Sequence, residues 1–145
     1  MKRRKFLAQS CKALLVIPLG AGLASCEGLY YVAEHSYKDG VVSIPLSEFE
    51  IIKEGKTKKR KYVLYKSEKF QFPICVYRTG KNEYVSSLLE CTHQGCELNV
   101  AGGAYSCPCH GSEFSTQGKV LEGPAEYDLK TFETKTDEKY IYIIV

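Results

Sequence analysis

Four of the seven cysteines and two of the three histidines of this chain lie within twenty residues. Residues 91–96 read Cys-Thr-His-Gln-Gly-Cys, and residues 107–112 read Cys-Pro-Cys-His-Gly-Ser. Thiolates and neutral imidazoles are ligands for iron and zinc, and the glycines near each pair permit the tight loops that such a site needs. The sequence therefore predicts a metal centre built from two loops, and the fold has to bring those loops together.

The chain after residue 40 is typical of short β-strands separated by turns. β-Branched and aromatic residues dominate these segments, and no long stretch has the 3.6-residue period of a helix. The predicted strands are 41–44, 62–65, 70–77, 84–89, 129–134 and 140–145. We expect the last two to form a closing hairpin, and residues 46–52 to form at most one turn of helix. A chain of 145 residues with 44% hydrophobic content is typical of one globular domain.

Residues 1–25 are typical of an export signal, because basic residues at positions 2–5 precede the short apolar stretch 13–24. Residues 3–7 read Arg-Arg-Lys-Phe-Leu, which resembles the twin-arginine motif. That export route carries folded proteins and suits a protein that takes up its cofactor in the cytoplasm. Residues 23–26 read Leu-Ala-Ser-Cys and resemble a bacterial lipobox, which predicts lipid attachment at Cys26.

Three alternatives for this segment stay open. In the first, the paired arginines belong to an ordinary signal peptide, in which such pairs also occur. In the second, Cys26 is an incidental cysteine. An uncleaved segment 6–25 has the length of one membrane span, although Lys12 inside it opposes that reading. Whether lipidated or uncleaved, the segment would hold the domain at a membrane of the bacterial cell envelope, on the periplasmic or outer side.

The formal charge of +3 comes from the signal. Residues 1–25 hold five basic residues and no acidic ones, so residues 26–145 hold 15 basic and 17 acidic residues, a net charge of −2. Nucleic-acid-binding domains are strongly basic with a clustered patch. The charge balance therefore does not favour a nucleic-acid partner.

The two boxes C-x-H-x-G-C and C-P-C-H-G-S resemble those of the Rieske iron–sulfur family. The likeness continues through residues 113–118 and the Gly-Pro-Ala segment 123–125. The resemblance implies an all-β fold, an antiparallel β-sandwich with a small cluster-binding subdomain made of two loops. We expect a signal peptide at 1–25, a lipidated N-terminal segment at 26–40, and a Rieske domain at 41–145 whose cluster-binding loops occupy 90–125.

By this resemblance, a 2Fe-2S cluster is held by two cysteines on one iron, Cys91 and Cys107, and by two histidines on the other, His93 and His110. Replacing two thiolates by neutral imidazoles removes negative charge, so the reduced state is less disfavoured. Potentials of Rieske centres are accordingly about −150 to +300 mV, against about −400 mV for plant-type ferredoxins.

The resemblance also implies roles for residues beside the ligands. Cys96 and Cys109 occupy positions that form a disulfide in high-potential members, and an exported protein meets an oxidising compartment. This pair points to the respiratory branch. Ser112 matches a serine that donates a hydrogen bond to a cluster sulfur, whereas Phe114 replaces a tyrosine that donates a second one. We therefore expect a potential below that of the highest members and above that of the oxygenase ferredoxins.

The leading hypothesis is a one-electron carrier in a quinol-oxidising cytochrome bc-type or related chain, with cytochrome b or c and quinol as candidate partners. The first alternative is the small Rieske subunit of a periplasmic oxidoreductase resembling arsenite oxidase, whose partner is a molybdopterin subunit. In neither does the protein carry out bond chemistry itself. The remote alternative is a zinc-stapled binding module, because a Cys2His2 zinc site uses the same four ligands.

Three further features have simpler readings. Cys75 lies in an apolar segment and is predicted to be a buried structural thiol. His35 has no partner motif and is predicted to be a surface or packing residue. The basic run 56–61 is predicted to be the solvated tip of a hairpin, with a docking patch for an acidic partner or anionic lipid as its functional alternative.

Overall fold

The computed structural model describes residues 28–145, which form thirteen strands and one 3-10 helix. The strands are β1 (Ser36–Lys38), β2 (Val41–Pro45), β3 (Glu50–Lys53), β4 (Lys56–Lys59), β5 (Tyr62–Tyr65), β6 (Ile74–Arg78), β7 (Tyr84–Leu88), β8 (Asn99–Ala101), β9 (Ala104–Ser106), β10 (Glu113–Ser115), β11 (Val120–Glu122), β12 (Thr131–Thr136) and β13 (Tyr140–Ile144). The helix is Leu46–Phe49. All pairs between these strands are antiparallel, which confirms the predicted all-β class.

Strands β5 and β6 are buried on both faces. Their side chains alternate between two hydrophobic cores, because successive residues of a strand point to opposite sides of the sheet. Leu64 and Cys75 face the first core, whereas Val63 and Val76 face the second. This two-sided burial explains why residues 74–77 read as a continuous apolar run.

The second core lies inside a folded seven-stranded sheet of order β1-β2-β13-β12-β7-β6-β5. Residues of β2 and β13, at one end of that order, pack in the same core as residues of β5 and β6, at the other end. The sheet therefore bends over itself. Val42, Ile44, Ile141 and Ile143 are each 0% exposed in this core.

The first core joins that sheet to a four-stranded sheet of order β11-β10-β9-β8. The segment 91–96 lies between β7 and β8, and the segment 107–112 connects β9 to β10. Both cysteine-histidine boxes are thus loops of the small sheet, beside the first core. This arrangement matches the small cluster-binding subdomain that the sequence predicts.

The predicted strands differ from the observed ones mainly at their ends. Residues 70–72 form bends before Pro73, and β6 begins only at Ile74, so the prediction of a strand over 70–77 was wrong in its first half. The closing hairpin is observed as β12 and β13. The helical turn predicted within 46–52 is the short helix Leu46–Phe49, and β3 follows it directly.

The basic run is not only a turn. Residues 56–59 form strand β4, which pairs with β3 in a separate two-stranded sheet. The prediction of a hairpin was right, but its tip is the turn at Glu54 and Gly55 rather than the lysines.

The export signal predicted at 1–25 and the lipid-attachment residue Cys26 lie outside the described residues. The part of the following segment that the structure describes is packed against the domain. Tyr30 and Val32 contact the second core, and Val32 N–H donates to the carbonyl of Leu64 at 2.8 Å. Residues 36–38 already belong to the seven-stranded sheet. Within residues 28–145 there is no helix of the length and apolarity that a membrane crossing requires.

The carboxylate of Glu48 attaches this N-terminal segment to the domain. Glu48 is 7% exposed and accepts three hydrogen bonds, from the Tyr30 hydroxyl at 3.0 Å, Ala33 N–H at 2.9 Å and Glu34 N–H at 3.1 Å. The guanidinium of Arg60 lies 3.7 Å from the centre of the Tyr30 ring, and it also donates to the carbonyl of Glu48. The segment 30–34 is therefore held by charge-assisted hydrogen bonds as well as by packing.

Replacing Glu48 by alanine should release the segment 30–34. The substitution leaves two backbone donors and a tyrosine hydroxyl without their acceptor, which costs about 2 kcal/mol and lowers Tm by about 5–10 °C for a domain of this size. Thermal unfolding followed by circular dichroism, together with hydrogen exchange at the amides of Ala33 and Glu34, measures both effects. Glu50→Ala, an exposed carboxylate in β3, is the matched control. Equal Tm values for the two variants would show that Glu48 does not hold the segment.

Candidate metal centre

The two boxes fold into loops of the same construction. In the first loop, the carbonyl of Cys91 accepts from Gly95 N–H at 2.8 Å, and Cys91 N–H donates to the carbonyl of Cys96 at 2.8 Å. In the second loop, the carbonyl of Cys107 accepts from Gly111 N–H at 3.0 Å, and Cys107 N–H donates to the carbonyl of Ser112 at 2.8 Å. A cysteine followed by glycine four residues later is the sequence signal for this repeated turn.

The glycines of these loops adopt backbone angles that other residues rarely take. The φ angle is +71° at Gly95 and +80° at Gly111, in the left-handed region that costs a residue with a Cβ atom about 1–2 kcal/mol. Each loop thereby turns back on itself within five residues. The sequence prediction that glycine permits tight loops applies at these two positions.

The two cysteines that begin the loops are buried beside each other as free thiols. Cys91 is 2% exposed and Cys107 is 3% exposed. Burial raises the pKa of the Cys107 thiol, but hydrogen bonds from the backbone N–H groups of Cys109 and His110 and from the Cys91 thiol outweigh burial, so this pKa lies below its usual value. The site thus favours a thiolate at Cys107, the form that binds a metal.

The two histidines of the boxes lie at the surface next to each other. The ring centres of His93 and His110 are 5.1 Å apart with an interplanar angle of 85°, and both residues are exposed. The third histidine, His35, is exposed and makes an edge contact with Tyr65, with ring centres 5.0 Å apart. His35 is thus the surface and packing residue that the sequence predicts.

The remaining two cysteines of the boxes form a disulfide that joins the loops. Cys96 and Cys109 are bonded, the pairing that the family resemblance implies. The sulfur atoms of Cys96, Cys107 and Cys109 all lie within 4.8 Å of one another. A disulfide sulfur cannot serve as a thiolate ligand, so of these three residues only Cys107 retains a thiol for a metal.

A third loop, residues 123–130 between β11 and β12, is hydrogen-bonded to both of the other loops. Ala125 N–H donates to the Ser112 hydroxyl oxygen at 3.0 Å, and the Thr92 hydroxyl donates to the carbonyl of Tyr127 at 2.6 Å. Sequence reasoning identified Ser112 and the Gly-Pro-Ala segment but missed Thr92 and Tyr127. Their partnership joins residues 35 positions apart, which no local pattern reveals.

The interior below the loops is apolar. Phe114 is 0% exposed and packs in the first core with Cys91 and Cys107. Cys75 is also 0% exposed there, and burial raises the pKa of its thiol to about 12. Cys75 is therefore a protonated structural thiol, as predicted.

The surface of this region is acidic. Residues 90–128 contain six carboxylates and a single lysine, and all six acidic residues are exposed. The lysine, Lys119, pairs with Asp128 at 2.6 Å, and its hydrogen bond lowers the pKa of that carboxyl below its usual value. The segment that carries both histidines thus has a net negative charge, and Lys130 lies next to its first loop.

The donor set fits a 2Fe-2S cluster with one thiolate-bound and one imidazole-bound iron. The loops present two thiols on the buried side and two imidazoles on the exposed side, and the disulfide removes the other two cysteines from competition. This division into a buried sulfur end and an exposed nitrogen end suits two metal ions of different ligation. A single zinc ion would require neither the division nor the disulfide.

Comparison with known families agrees with this donor set. Residues 45–133, more than half of the chain, match the family model described as "Rieske [2Fe-2S] domain". The match covers β3 to β11, all three loops and parts of β2 and β12.

Curated relatives include iron-sulfur subunits of cytochrome b6-f complexes. The chain is 42% identical over 72 residues to subunit 2 from Nostoc sp., covering 48% of this chain and 40% of that protein. It is 39% identical over 56 residues to the chloroplastic subunit from Triticum aestivum, covering 37% of this chain and 25% of that protein. The chain therefore spans less than half the length of these curated relatives.

Solved structures of a Rieske protein and of a respiratory complex resemble this chain as well. The plasma membrane Rieske protein PetC3 from Synechocystis PCC 6803 superposes with a TM-score of 0.51 at 34% identity, covering 57% of this chain and 85% of that chain. A chain described as a hyperthermophilic respiratory Complex III superposes with a TM-score of 0.50 over 95% of this chain and 92% of that chain. Its identity is 16%, so this second likeness concerns the fold alone.

Removing the disulfide should loosen the two loops without unfolding the cores. In the chain-entropy description a link closing about 15 residues contributes about 3 kcal/mol, and this one spans a sequence separation of 13. We expect the double variant Cys96→Ser, Cys109→Ser to lose about that much in the free energy of unfolding, and to lose bound iron faster on dilution. Dithiothreitol should reproduce both effects in the unmodified protein and have no effect on the double variant. Full stability in the reduced protein would contradict the role given to the disulfide.

Proposed function

The chain belongs to the Rieske 2Fe-2S domain family, and on that premise we propose that it relays single electrons at a membrane of the bacterial cell envelope. The family membership identifies the cofactor as a Rieske-type 2Fe-2S cluster. The observation that carries the proposal is the pairing of two buried thiols with two exposed imidazoles in twin loops. When bound, such a cluster accepts and returns one electron at a time.

In this proposal Cys91 and Cys107 hold one iron, and His93 and His110 hold the other. The backbone N–H groups aimed at the Cys107 sulfur favour its thiolate form. The disulfide between Cys96 and Cys109 keeps those sulfurs from competing as ligands. The apolar side chains of the first core, among them Phe114, exclude water from the cysteine end.

The histidine end is where a redox partner would approach. His93 and His110 are exposed, and an imidazole that binds a metal through one ring nitrogen keeps an N–H on the other. That N–H can donate a hydrogen bond to a quinol or to a partner protein. The chain itself breaks no bond in this role.

The relatives named above are subunits of cytochrome b6-f complexes, which favours a quinol-oxidising chain of the cytochrome bc type, with a cytochrome b or c as partner. A small subunit of a periplasmic oxidoreductase resembling arsenite oxidase, paired with a molybdopterin subunit, is the second candidate. Phe114 favours this candidate over a cytochrome bc-type subunit, because it replaces the tyrosine whose hydroxyl donates to a cluster sulfur in cytochrome bc-type members.

For the location, we propose that residues 1–25 are removed as a signal and that Cys26 carries lipid. Residues 26–40 then connect the lipid to the domain 41–145. Only three residues, 27–29, lie between Cys26 and Tyr30, so four Cα–Cα steps join Cys26 to a residue that is packed on the second core. At about 3.5 Å per residue, the free tether is at most about 14 Å long. The domain would therefore lie next to the membrane surface.

Spectroscopy of three histidine variants tests the ligand assignment. We expect the purified protein to contain two irons and two acid-labile sulfides and to give the electron paramagnetic resonance signal of a reduced Rieske centre. His93→Ala and His110→Ala should each abolish that signal, because each removes one ligand. His35→Ala, the remaining histidine, is the matched control and should keep it. A colourless protein containing zinc would refute the assignment and support the zinc-stapled module.

The reduction potential tests the tuning residues. Ser112 accepts from Ala125 N–H and so keeps its own proton for a cluster sulfur, whereas Phe114 offers no donor. We expect Ser112→Ala to lower the potential and Phe114→Tyr to raise it, each by on the order of 60 mV, a tenfold change in a one-electron equilibrium. Protein-film voltammetry measures this shift. Phe132→Tyr, which alters a ring packed on the second core, should leave the potential unchanged. If Phe114→Tyr also leaves it unchanged, position 114 does not face a sulfur.

A further inference from the structure

The hairpin formed by β3 and β4 takes no part in the proposed electron transfer. It is a separate two-stranded sheet of residues 50–59 that turns at Glu54 and Gly55. Apart from Ile51, every side chain from Glu50 to Lys59 is exposed. The hairpin thus projects from the domain and needs an explanation of its own.

The hairpin and its base carry a charge opposite to the rest of the domain. Residues 50–61 contain six basic and two acidic residues, a net charge of +4. The remainder of residues 26–145 contains nine basic and fifteen acidic residues, a net charge of −6. Within that remainder, residues 90–128 around the metal centre contribute −5. The molecule is therefore basic at the hairpin and acidic at the metal centre.

The hairpin also exposes a large apolar side chain. Ile52 is 77% exposed, the highest value among the exposed large hydrophobic residues of the described chain. It lies opposite Thr57, one residue from the pair Lys53 and Lys56 that flanks the turn. Because successive strand residues alternate in direction, Lys59 shares the face of Ile52, whereas Lys53 and Lys56 lie on the other face next to the turn. An exposed apolar residue near a turn flanked by lysines suits a membrane interface, because the ammonium groups meet lipid headgroups while the lysine stems and the apolar side chain enter the acyl boundary.

The hairpin leaves the central strands at the end that lies away from the first ligand box. It leads into the first residue of β5, whereas the first box follows β7 at Leu88. Leu88 pairs with Ile74, and Ile74 pairs with Tyr65 at the last residue of β5. The N-terminal segment lies at the hairpin's end of these strands, because Tyr30 packs against Arg60 at the hairpin's base.

We propose that the hairpin 50–59 is a membrane-contact element that binds anionic phospholipid headgroups and inserts Ile52 among them. The inference rests on the proposed attachment of the chain to a membrane. The short tether and the hairpin lie at one end of the central strands, so both meet the same membrane. That membrane attracts the basic hairpin and repels the acidic segment that carries His93 and His110, and the domain is thereby oriented with its metal centre away from the lipid.

An acidic protein partner fits the hairpin less well. A redox partner has to approach the exposed histidines, and the first ligand box lies at the other end of the central strands. Ile52 would gain little from a purely electrostatic partner, whereas it adds apolar contact at a lipid interface. The headgroup region of an anionic membrane matches both the charge and the exposed isoleucine.

Lysine labelling on vesicles tests this orientation within one molecule. The full-length, cluster-loaded protein is reconstituted into vesicles of phosphatidylcholine alone or of phosphatidylcholine with phosphatidylglycerol. A neutral acetylating reagent then labels exposed lysines, and mass spectrometry gives a rate for each. We expect Lys53 and Lys56 to react about 5-fold more slowly on the anionic vesicles, the factor expected for a lysine held near an anionic surface. Lys119, which pairs with Asp128, and Lys130, which lines a cavity with Cys91, lie at the metal centre and are the internal controls. Their labelling rates should change less than twofold.

Two further conditions separate the electrostatic contribution to membrane binding from that of the Ile52 side chain. About 1 M NaCl, which shortens the screening length to about 3 Å, should remove the protection. Ile52→Ser should reduce it, whereas Ile144→Ser, an exposed isoleucine of β13, should not. Both variants should keep the resonance signal of the cluster, which reports on the proposed function independently.

Equal labelling of Lys53 and Lys56 on both kinds of vesicle, with the protein attached to each, would overturn the hairpin proposal and leave the anchor standing. Protection that appears only when a soluble acidic protein is added would overturn it in favour of protein docking. Failure of the protein to attach to either vesicle would refute both the anchor and the hairpin contact, while the cluster signal would still report on electron transfer.

Discussion

The two-sided burial of β5 and β6 is the constraint on which the rest of this structure depends. A strand that is apolar on both faces needs a layer on each side. One side is covered by the far end of the same seven-stranded sheet, and the other by the small sheet that carries the metal centre. Because the covering layers differ, the two sides of the molecule take different roles.

On the first side, three loops converge through bonds of different kinds. The disulfide joins the first loop to the second, the Ser112 hydroxyl joins the second to the third, and the Thr92 hydroxyl joins the third to the first. This closed set of links holds two thiols inside and two imidazoles outside without any regular secondary structure at the site itself. Rigid positioning of ligands by surrounding contacts is what a redox centre needs to keep its geometry as its charge changes.

The N-terminal segment and the basic hairpin lie next to each other, because Arg60 at the hairpin's base packs on Tyr30. Glu48 holds the segment and Arg60 stacks on it, so the two features share one set of contacts. The segment 90–128, which carries the metal centre, has a net negative charge, and its first ligand box lies at the other end of the central strands. In the sequence, the basic run ends only thirty residues before the first ligand box. The distance between the basic hairpin and the metal centre is therefore set by the fold.

Much of the site was predictable, because Rieske boxes place their residue types at short, local spacings. The strands were predictable where period-2 patterns reach the surface, as at β2 and β13. Residues 70–72 have the aromatic composition of a strand but form bends before Pro73. The partnership of Thr92 with Tyr127 had no signal in the chain. Such a contact depends on how two loops approach each other in space.

The sequence by itself determined the donor atoms, the glycines that turn the loops and the β-rich class, since each depends on local residue chemistry. Only the tertiary structure decided which thiols are buried and that both imidazoles face solvent. It also decided that the basic hairpin and the N-terminal segment lie at the other end of the central strands from the first ligand box. The physical reason is that burial and sidedness arise from the packing of one sheet on another, and that packing joins residues far apart in the chain.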